Sequence, residues 1–525
     1  ECSQRWFLPS YMLDYINICM DAGQLKKKQY QHNRRELLRD GLQGTPPSSA
    51  PAPYCNAALR RTNHCKPLLS RPKIAPPAVP PPLCSPRTTP STKPYNQILY
   101  TPLAEYDKEV QKIIEHETYR QFSGLELMAS ENLTSLAVME ANGSILTNKF
   151  PEALPGNRYC GGNEQLDHLE ILCQQRALKA FRLDPRLWGV NVRSYSGSTA
   201  NFAAFTGLIE PQDRIMGLAL PDGGHLTHGF YTGKRKVSAS SIYFQSFPYR
   251  INPQSKLIDY DYLEQTAQVF NPRIIICGAS AYPRDWDYSR LRKIADDQGA
   301  YLMMDVRQVQ NNPFEQCDVV TTTTHKTLRG PRAGLIFFRK DKDASMETRI
   351  NDAVFPGCQG GPHNHTIAAI AVALKQVADP RFQQYAQAVI QNSRTLAARL
   401  VQFGYTLQTG GSDNHLVLWD LRPIGLTGLK VEKICDLCHI TINKIAMSGD
   451  TSAEVPGGIR LGTSALTSRS MGPSEMVELK DFLSRATQGN GQGRQLLAQL
   501  RHDVGIFSRR FGLPGVDVNS IKAPS

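Results

Sequence analysis

No run of about 18 uninterrupted apolar residues occurs in the chain, which excludes a membrane-spanning helix from its pattern. Cysteine is sparse, at 12 in 525 residues, which excludes the disulfide scaffold of short secreted domains. Five of them (Cys2, Cys19, Cys55, Cys65 and Cys84) fall in the first 98 residues. The others are scattered through apolar segments, as in Leu172-Cys173 and Ile276-Cys277, and read as reduced core residues. Acidic residues are missing altogether between Gly41 and Ala104. Cys435-Asp436-Leu437-Cys438-His439 spells a haem-attachment pattern, but a helix with Ile434, Cys435 and Cys438 along one apolar stripe accounts for it.

What is present describes a globular enzyme-sized body behind a leader. The length and 58.5 kDa suit about three domains or fewer, and 41% hydrophobic with 20% charged residues is a globular composition. The formal charge of +13 is unevenly spread. Residues 1–98 hold 14 Lys and Arg against 5 acids, whereas residues 99–525 hold 46 against 42. Nucleic acid is therefore not an expected partner of the body, and neither is a membrane. Residues 45–94 contain 14 of the 35 prolines. Proline withholds a backbone donor and fixes φ, so this stretch builds neither helix nor central strand. Basic, without an acid from Gly41 on, and ahead of the globular region, residues 1–98 read as a disordered leader or transit peptide.

The body is expected to be an α/β fold. Asp107–Arg120 and Glu164–Phe181 have helical spacing, the latter with Leu166, Leu169, Leu172 and Ala177 on one side. Short apolar runs at 190–192, 214–218, 241–244, 273–277, 301–304, 319–322 and 333–338 read as strands. Helices at 199–209, 262–268 and 288–298 fall between several of them. That alternation means a mostly parallel sheet in a large domain, residues 99–383. Shorter strands at 416–421, 440–443 and 458–462, flanked by helices, make residues 384–525 a smaller α+β domain.

Several segments carry chemistry. Ser194-Tyr-Ser-Gly-Ser-Thr-Ala-Asn201, between a strand and a helix, can turn amides and hydroxyls toward a phosphate. Gly357-Cys-Gln-Gly-Gly-Pro362 is a second such loop without a Walker ending. In Thr321-Thr-Thr-Thr-His-Lys326 an apolar strand runs out into hydroxyls and a lysine able to form a Schiff base. Asp305 ends the preceding apolar strand, where a carboxylate can pair with a pyridinium nitrogen. His225 could lie flat on such a ring. The pairs His225/His228 and His363/His365 have no third ligand at a recognisable spacing, so no metal is expected.

Together with Leu125-Glu-Leu-Met-Ala-Ser-Glu-Asn132, Pro155-Gly-Asn-Arg-Tyr159, Gly223-Gly-His-Leu-Thr-His-Gly229, Val354-Phe-Pro-Gly357 and Gly410-Gly-Ser-Asp-Asn-His415, these segments resemble serine hydroxymethyltransferase. The resemblance runs from about Leu103 to Asp517 and is closest to plant and algal members, with an ending similar to the plastid form. It implies fold type I (aminotransferase-like) architecture and pyridoxal 5'-phosphate. The implied reaction transfers the serine hydroxymethyl group to tetrahydrofolate, giving glycine and methylenetetrahydrofolate. By motif, Lys326 would bond the cofactor, Asp305 would pair with its ring nitrogen and His225 would stack on the ring. Ser280 would lie near the ring hydroxyl. Ser196, Gly197, Ser198 and His325 would complete the cofactor site, with Gly360 and Gly361 arriving from a neighbouring subunit. Ser130 and Arg460 would grip the substrate carboxylate, and Glu152 would act as acid and base near the hydroxymethyl group and folate. Tyr159 would be both catalytic and substrate-binding, and Leu220 and Leu226 would bind substrate. The family pattern implies a homodimer or homotetramer, with pairing to a sister chain as the alternative. The leader would direct the chain to an organelle, plastid before mitochondrion, or leave it cytoplasmic if it is not a transit peptide.

Departures from the family cluster at this site. Asp305 is followed by Val-Arg307-Gln308 and a shortened segment, where the family has a histidine and small residues. Phe150 and Cys160 stand in place of tyrosines, and Ile445 in place of an asparagine. They raise a second reading: a silent paralogue that keeps the fold as a structural or regulatory subunit.

Overall fold

The computed structural model describes residues 94–306, 312–450, 455–488 and 493–523. The leader's first 93 residues, and with them the transit-peptide reading, lie outside the described residues, as do Arg307 and Gln308. A seven-stranded sheet forms the centre: β1 (Trp188–Ser194), β2 (Arg214–Leu218), β3 (Gln245–Tyr249), β4 (Ile274–Gly278), β5 (Tyr301–Val306), β6 (Val319–Thr323) and β7 (Gly334–Arg339). Their order is β1-β7-β6-β5-β4-β2-β3. Neighbours from β6 to β3 are parallel, and β7 runs antiparallel to both β6 and β1. β1, β2, β4, β5 and β6 therefore share one direction and present their carboxyl ends along one edge.

The continuous apolar strands follow from cover on both faces. In β4, Ile274 and Ile276 pack into one core with Phe205, Met303 and Phe338. Ile275 and Cys277 face the other core, with Leu291, Leu302 and Met304. A second, antiparallel sheet of order β8-β9-β11-β10 comprises β8 (Thr406–Leu407), β9 (Leu416–Asp420), β10 (Asn443–Ile445) and β11 (Gly458–Gly462). It shares a core with the helices Pro380–Gln402, Gly428–Leu437 and Pro473–Gln488. Cys435 and Cys438 are fully buried in that core beside Ile434, as the apolar-stripe reading expected.

Segments from early and late in the described chain, residues 121–126 and 508–512, are tied into this second core. Leu125–Glu126 pairs in parallel with Ile440–Thr441. Buried Arg469 donates to the carbonyls of Gln121, Phe122, Gly124, Ser508, Phe511 and Gly512, and burial pulls its pKa down to about 10.

Three expectations need correction. Residues 241–244 are not a strand: Ser238 caps a helical turn, Ala239–Tyr243, by accepting from the Ser241 N–H, and the strand follows at Gln245. The run 440–443 divides between two sheets, Ile440–Thr441 joining Leu125–Glu126 and Asn443 starting β10. In the helix Glu164–Ala180, Leu172 is 39% exposed, and the buried face is Leu166, Glu170, Cys173 and Ala177. Glu170 can be buried because Arg158 and Arg193 approach it at 2.7 and 3.5 Å.

Candidate active site

In open α/β sheets, ligands collect beyond the carboxyl ends of the strands. Here Ser196 follows β1, His225 lies in the loop after β2, Ser280 follows β4, Asp305 is near the end of β5 and Lys326 follows β6. Asp305 and Thr321 are register partners on adjacent strands. Asp305 is 5% and Lys326 6% exposed.

Asp305 is held by donors from two other elements. Its Oδ2 accepts from Asn201 Nδ2 and from His228 Nε2, both at 3.2 Å. His228 Nδ1 accepts the His225 N–H at 3.3 Å, so the proton of His228 sits on Nε2 and points at the carboxylate. Asn201 Nδ2 also donates to Thr227 Oγ1 at 2.8 Å, and its Oδ1 accepts from Thr321 Oγ1 at 2.6 Å. Thr227 in turn bonds His225 Nδ1 at 2.7 Å. One asparagine thus joins the helix Gly197–Leu208, the His225 loop, β5 and β6. Sequence reasoning missed it. The signal was its place one helical turn beyond Gly197, facing the same way.

Ser196 caps that helix, accepting from Thr199 N–H at 3.2 Å. A Cβ on Gly197 would lie 2.7 Å from Thr323 Cγ2, so only glycine lets the two loops close there. Gly223, at φ +107°, lets the His225 loop meet the strand end: its carbonyl accepts from the N–H of Ser280 and Ala281 at 2.7 and 2.9 Å. Arg460 on β11 donates to the Ser280 carbonyl at 2.7 Å and to Asn443 Oδ1 at 3.1 Å. Ile445, two residues from Asn443 on β10, packs against Ala129, Ala281, Leu416, Leu418 and Met447. It therefore abuts the neighbours of Ser130 and Ser280.

A cavity of about 240 Å³ opens beside His225 and His228 and is walled by Leu220 and Arg250. Leu226 is 44% exposed and outside that wall. His325 lines a larger cavity of about 550 Å³ with Glu126, Glu131 and Asn132. Burial, with Glu131 nearby, pushes Glu126 up to about 7 against the pull of Arg120.

Another group gathers around the second glycine loop. A Cβ built on Gly360 would lie 3.9 Å from Glu152 Oε1, and one on Gly361 would meet the Phe150 ring at 2.6 Å. Tyr195 Oη donates to the Gly361 carbonyl at 2.6 Å, and the Tyr195 and His363 rings stack at 4.2 Å. Burial lowers the His363 pKa and raises that of Tyr195. Phe150 and Tyr159 are 52% and 85% exposed, and Cys160 is exposed too.

His225, His228 and Asp305 also bring possible metal-ligand atoms within 4.8 Å of one another. The two histidines lacked a third ligand in the sequence, and the fold supplies one from β5. The wider donor set suits an organic cofactor with a carbonyl, a basic ring nitrogen and a phosphate: a buried lysine, a doubly bonded carboxylate, and a capped helix start closed by glycine.

Comparison with known proteins agrees. The sequence pattern of the family described as Serine hydroxymethyltransferase matches residues 103–483. The chain belongs to the serine hydroxymethyltransferase family. It is 53% identical to chloroplastic serine hydroxymethyltransferase 3 of Arabidopsis thaliana over 447 residues, 79% of this chain and 84% of that one. It is 52% identical to the cytosolic serine hydroxymethyltransferase of Oryctolagus cuniculus over 474 residues, 82% and 98% of the two. It is 48% identical to that of Bombyx mori over 460 residues, 80% and 99%. The fold is the family's fold type I, and the activity is pyridoxal-phosphate-dependent transfer of a one-carbon group between serine and tetrahydrofolate. The silent-subunit reading is not favoured.

Proposed function

We propose that the residues at the carboxyl edge of the seven-stranded sheet perform this serine hydroxymethyltransferase reaction in the following roles. The observation that carries the assignment is buried Lys326 after β6 with Asp305 on the adjacent strand, its Oδ2 bonded by Asn201 and His228. Lys326 holds the cofactor's carbonyl carbon, Asp305 its ring nitrogen, and Ser196, Gly197 and Ser198 its phosphate, with His225 against the ring. The bound cofactor supplies an electron sink for the bond broken at the substrate's α-carbon. Arg460, oriented by Ser280 and Asn443, takes the substrate carboxylate together with Ser130, which fixes the bond presented for cleavage. Glu152 takes the proton from the serine hydroxyl as the bond to the α-carbon breaks and gives it back to that oxygen, which leaves as water when the carbon passes to tetrahydrofolate.

Glu152, Tyr159, Gly360 and Gly361 serve the site of a second copy of the chain in this reading. The exposure of Tyr159 and Phe150 supports it, as does the oligomeric habit of the family. The leader is a plastid transit peptide, a reading supported by its basic, proline-dense composition, without an acid from Gly41 on, and by the chloroplastic relative.

Titration of the full chain with pyridoxal phosphate tests the roles. A visible absorbance band that appears in the wild type and is lost in Lys326→Ala, with glycine and tetrahydrofolate then changing the wild-type spectrum, is the expected result. A folded wild type without that band overturns the assignment. A fluorescent protein fused to residues 1–98 that stays outside plastids overturns the leader reading.

A further inference from the structure

The turn that carries Lys326 continues into Arg329, which has none of the roles above. Arg329 has φ +55°, a left-handed conformation more readily adopted by glycine or asparagine. Its N–H donates to the Lys326 carbonyl at 3.0 Å, and its own carbonyl accepts from Thr134 Oγ1 at 2.7 Å. Such strain persists where the surroundings over-determine it, and it concentrates at functional sites.

The side chain adds an independent observation. Its guanidinium carbon lies 3.9 Å from the centroid of the Tyr385 ring and 5.6 Å from that of Phe382. It borders a cavity of about 320 Å³ whose walls include Leu133, Ser135, Gln376 and Ser468. Asp379 and Arg381 also line this cavity and pair with each other at 2.5 Å, so the carboxylate there is already neutralised. A guanidinium stacked on aromatic faces keeps its edge donors for a planar oxyanion. Ser135 Oγ accepts from Gln376 Nε2 at 2.8 Å and from the Val138 N–H at 3.4 Å, which leaves its own proton to donate. Cation, hydroxyl and an apolar wall at Leu133 thus converge on one small volume, the combination that recognises a small organic anion.

We propose that this cavity binds a carboxylate or phosphate group through the Arg329 guanidinium and the Ser135 hydroxyl, at a site distinct from the substrate and cofactor positions. The cavity is wired to the lysine turn. Asn132 Nδ2 donates to Tyr385 Oη at 2.7 Å and to the Lys326 carbonyl at 2.8 Å, while Ser468 donates to Asn132 Oδ1 at 2.7 Å. An anion held on Arg329 therefore sits within a short hydrogen-bonded path of Lys326.

Calorimetric titration of the full chain, loaded with pyridoxal phosphate and saturated with glycine, tests the proposal with inorganic phosphate and, separately, with citrate. Saturable binding of either probe, weakened about tenfold or more by Arg329→Gln, is expected. Binding of phosphate alone assigns a phosphate-bearing ligand, binding of citrate alone a carboxylate-bearing one, and binding of both the shared oxyanion chemistry. No saturable binding of either probe, or equal binding by Arg329→Gln, overturns it. Should Arg329→Gln fail to fold, Gln376→Glu places a like charge beside the anion. Weakened binding in that variant supports the site, and unchanged binding overturns it.

Discussion

Two stretches assigned to one active site are treated differently by the single chain. Around Asp305, the side chains of Asn201, His228 and Thr321 are buried and cross-bonded between elements, and Lys326 is buried beside them. Around Glu152, the chain turns through two-residue strands, Ala153–Leu154 and Asn157–Arg158, and leaves Tyr159 and Phe150 in solvent. Burying polar groups is tolerated only where donors meet acceptors, which the first region achieves internally. The second leaves Tyr159 outward and Glu152 half-buried, the arrangement expected of side chains whose ligands come from another molecule. The first region should thus answer substitution with lost stability and lost cofactor, the second with lost activity alone.

The largest effect is expected at Lys326. Lys326→Ala should abolish the visible cofactor band and lower kcat/KM by about 10³-fold or more, read by absorbance and steady-state kinetics. Next comes Glu152→Gln, lowering kcat by about 10²–10⁴-fold while the urea midpoint stays put. Mixing it with Lys326→Ala chains sharpens the contrast: if the two regions meet across subunits, the mixture regains activity that neither variant has. No recovery after verified subunit exchange would place both in one chain's site.

Asn201→Ala should destabilise by about 1–3 kcal/mol in urea unfolding, because Thr321 and Asp305 lose a buried partner. Cofactor affinity should fall with it.

A pH effect belongs to the neighbouring cavity. The folded pKa of Glu126 is raised to about 7 from 4.5, so the folded state binds the extra proton between these values. Its contribution is fully present below about 4.5 and is lost as pH rises through about 7. Unfolding free energy should therefore fall by about 1–3 kcal/mol between pH 5 and 8, and Glu126→Gln should flatten that slope. The smallest effect is expected at Tyr159→Phe, within about 0.5 kcal/mol of wild-type stability because the ring is exposed. A larger loss would break the distinction between the two regions.

Much of the fold was legible. The apolar strands and helical spacing predicted the parallel sheet and the helix Glu164–Ala180 to within a residue or two. The expected strand at 241–244 failed because a capping serine outweighed a short apolar run. Lys326 and Asp305 could be picked out because a lysine and an acid at the ends of apolar runs have few structural uses. Asn201 and Arg329 could not, since asparagine in a helix and arginine in a turn look ordinary until their partners are known.

The order of residues by itself determined which segments could be strands, where the proline-dense leader stops, and which groups could carry chemistry, because these depend on local spacing and residue type. Only the tertiary structure decided that Asn201 would reach Asp305 across 104 residues, and that His228 would turn its proton toward the same oxygen. It likewise decided that Arg329 would rest on Tyr385 with its donors facing a cavity. Those contacts join positions far apart in the chain, and their geometry exists only once the sheet has brought its strand ends to a common edge.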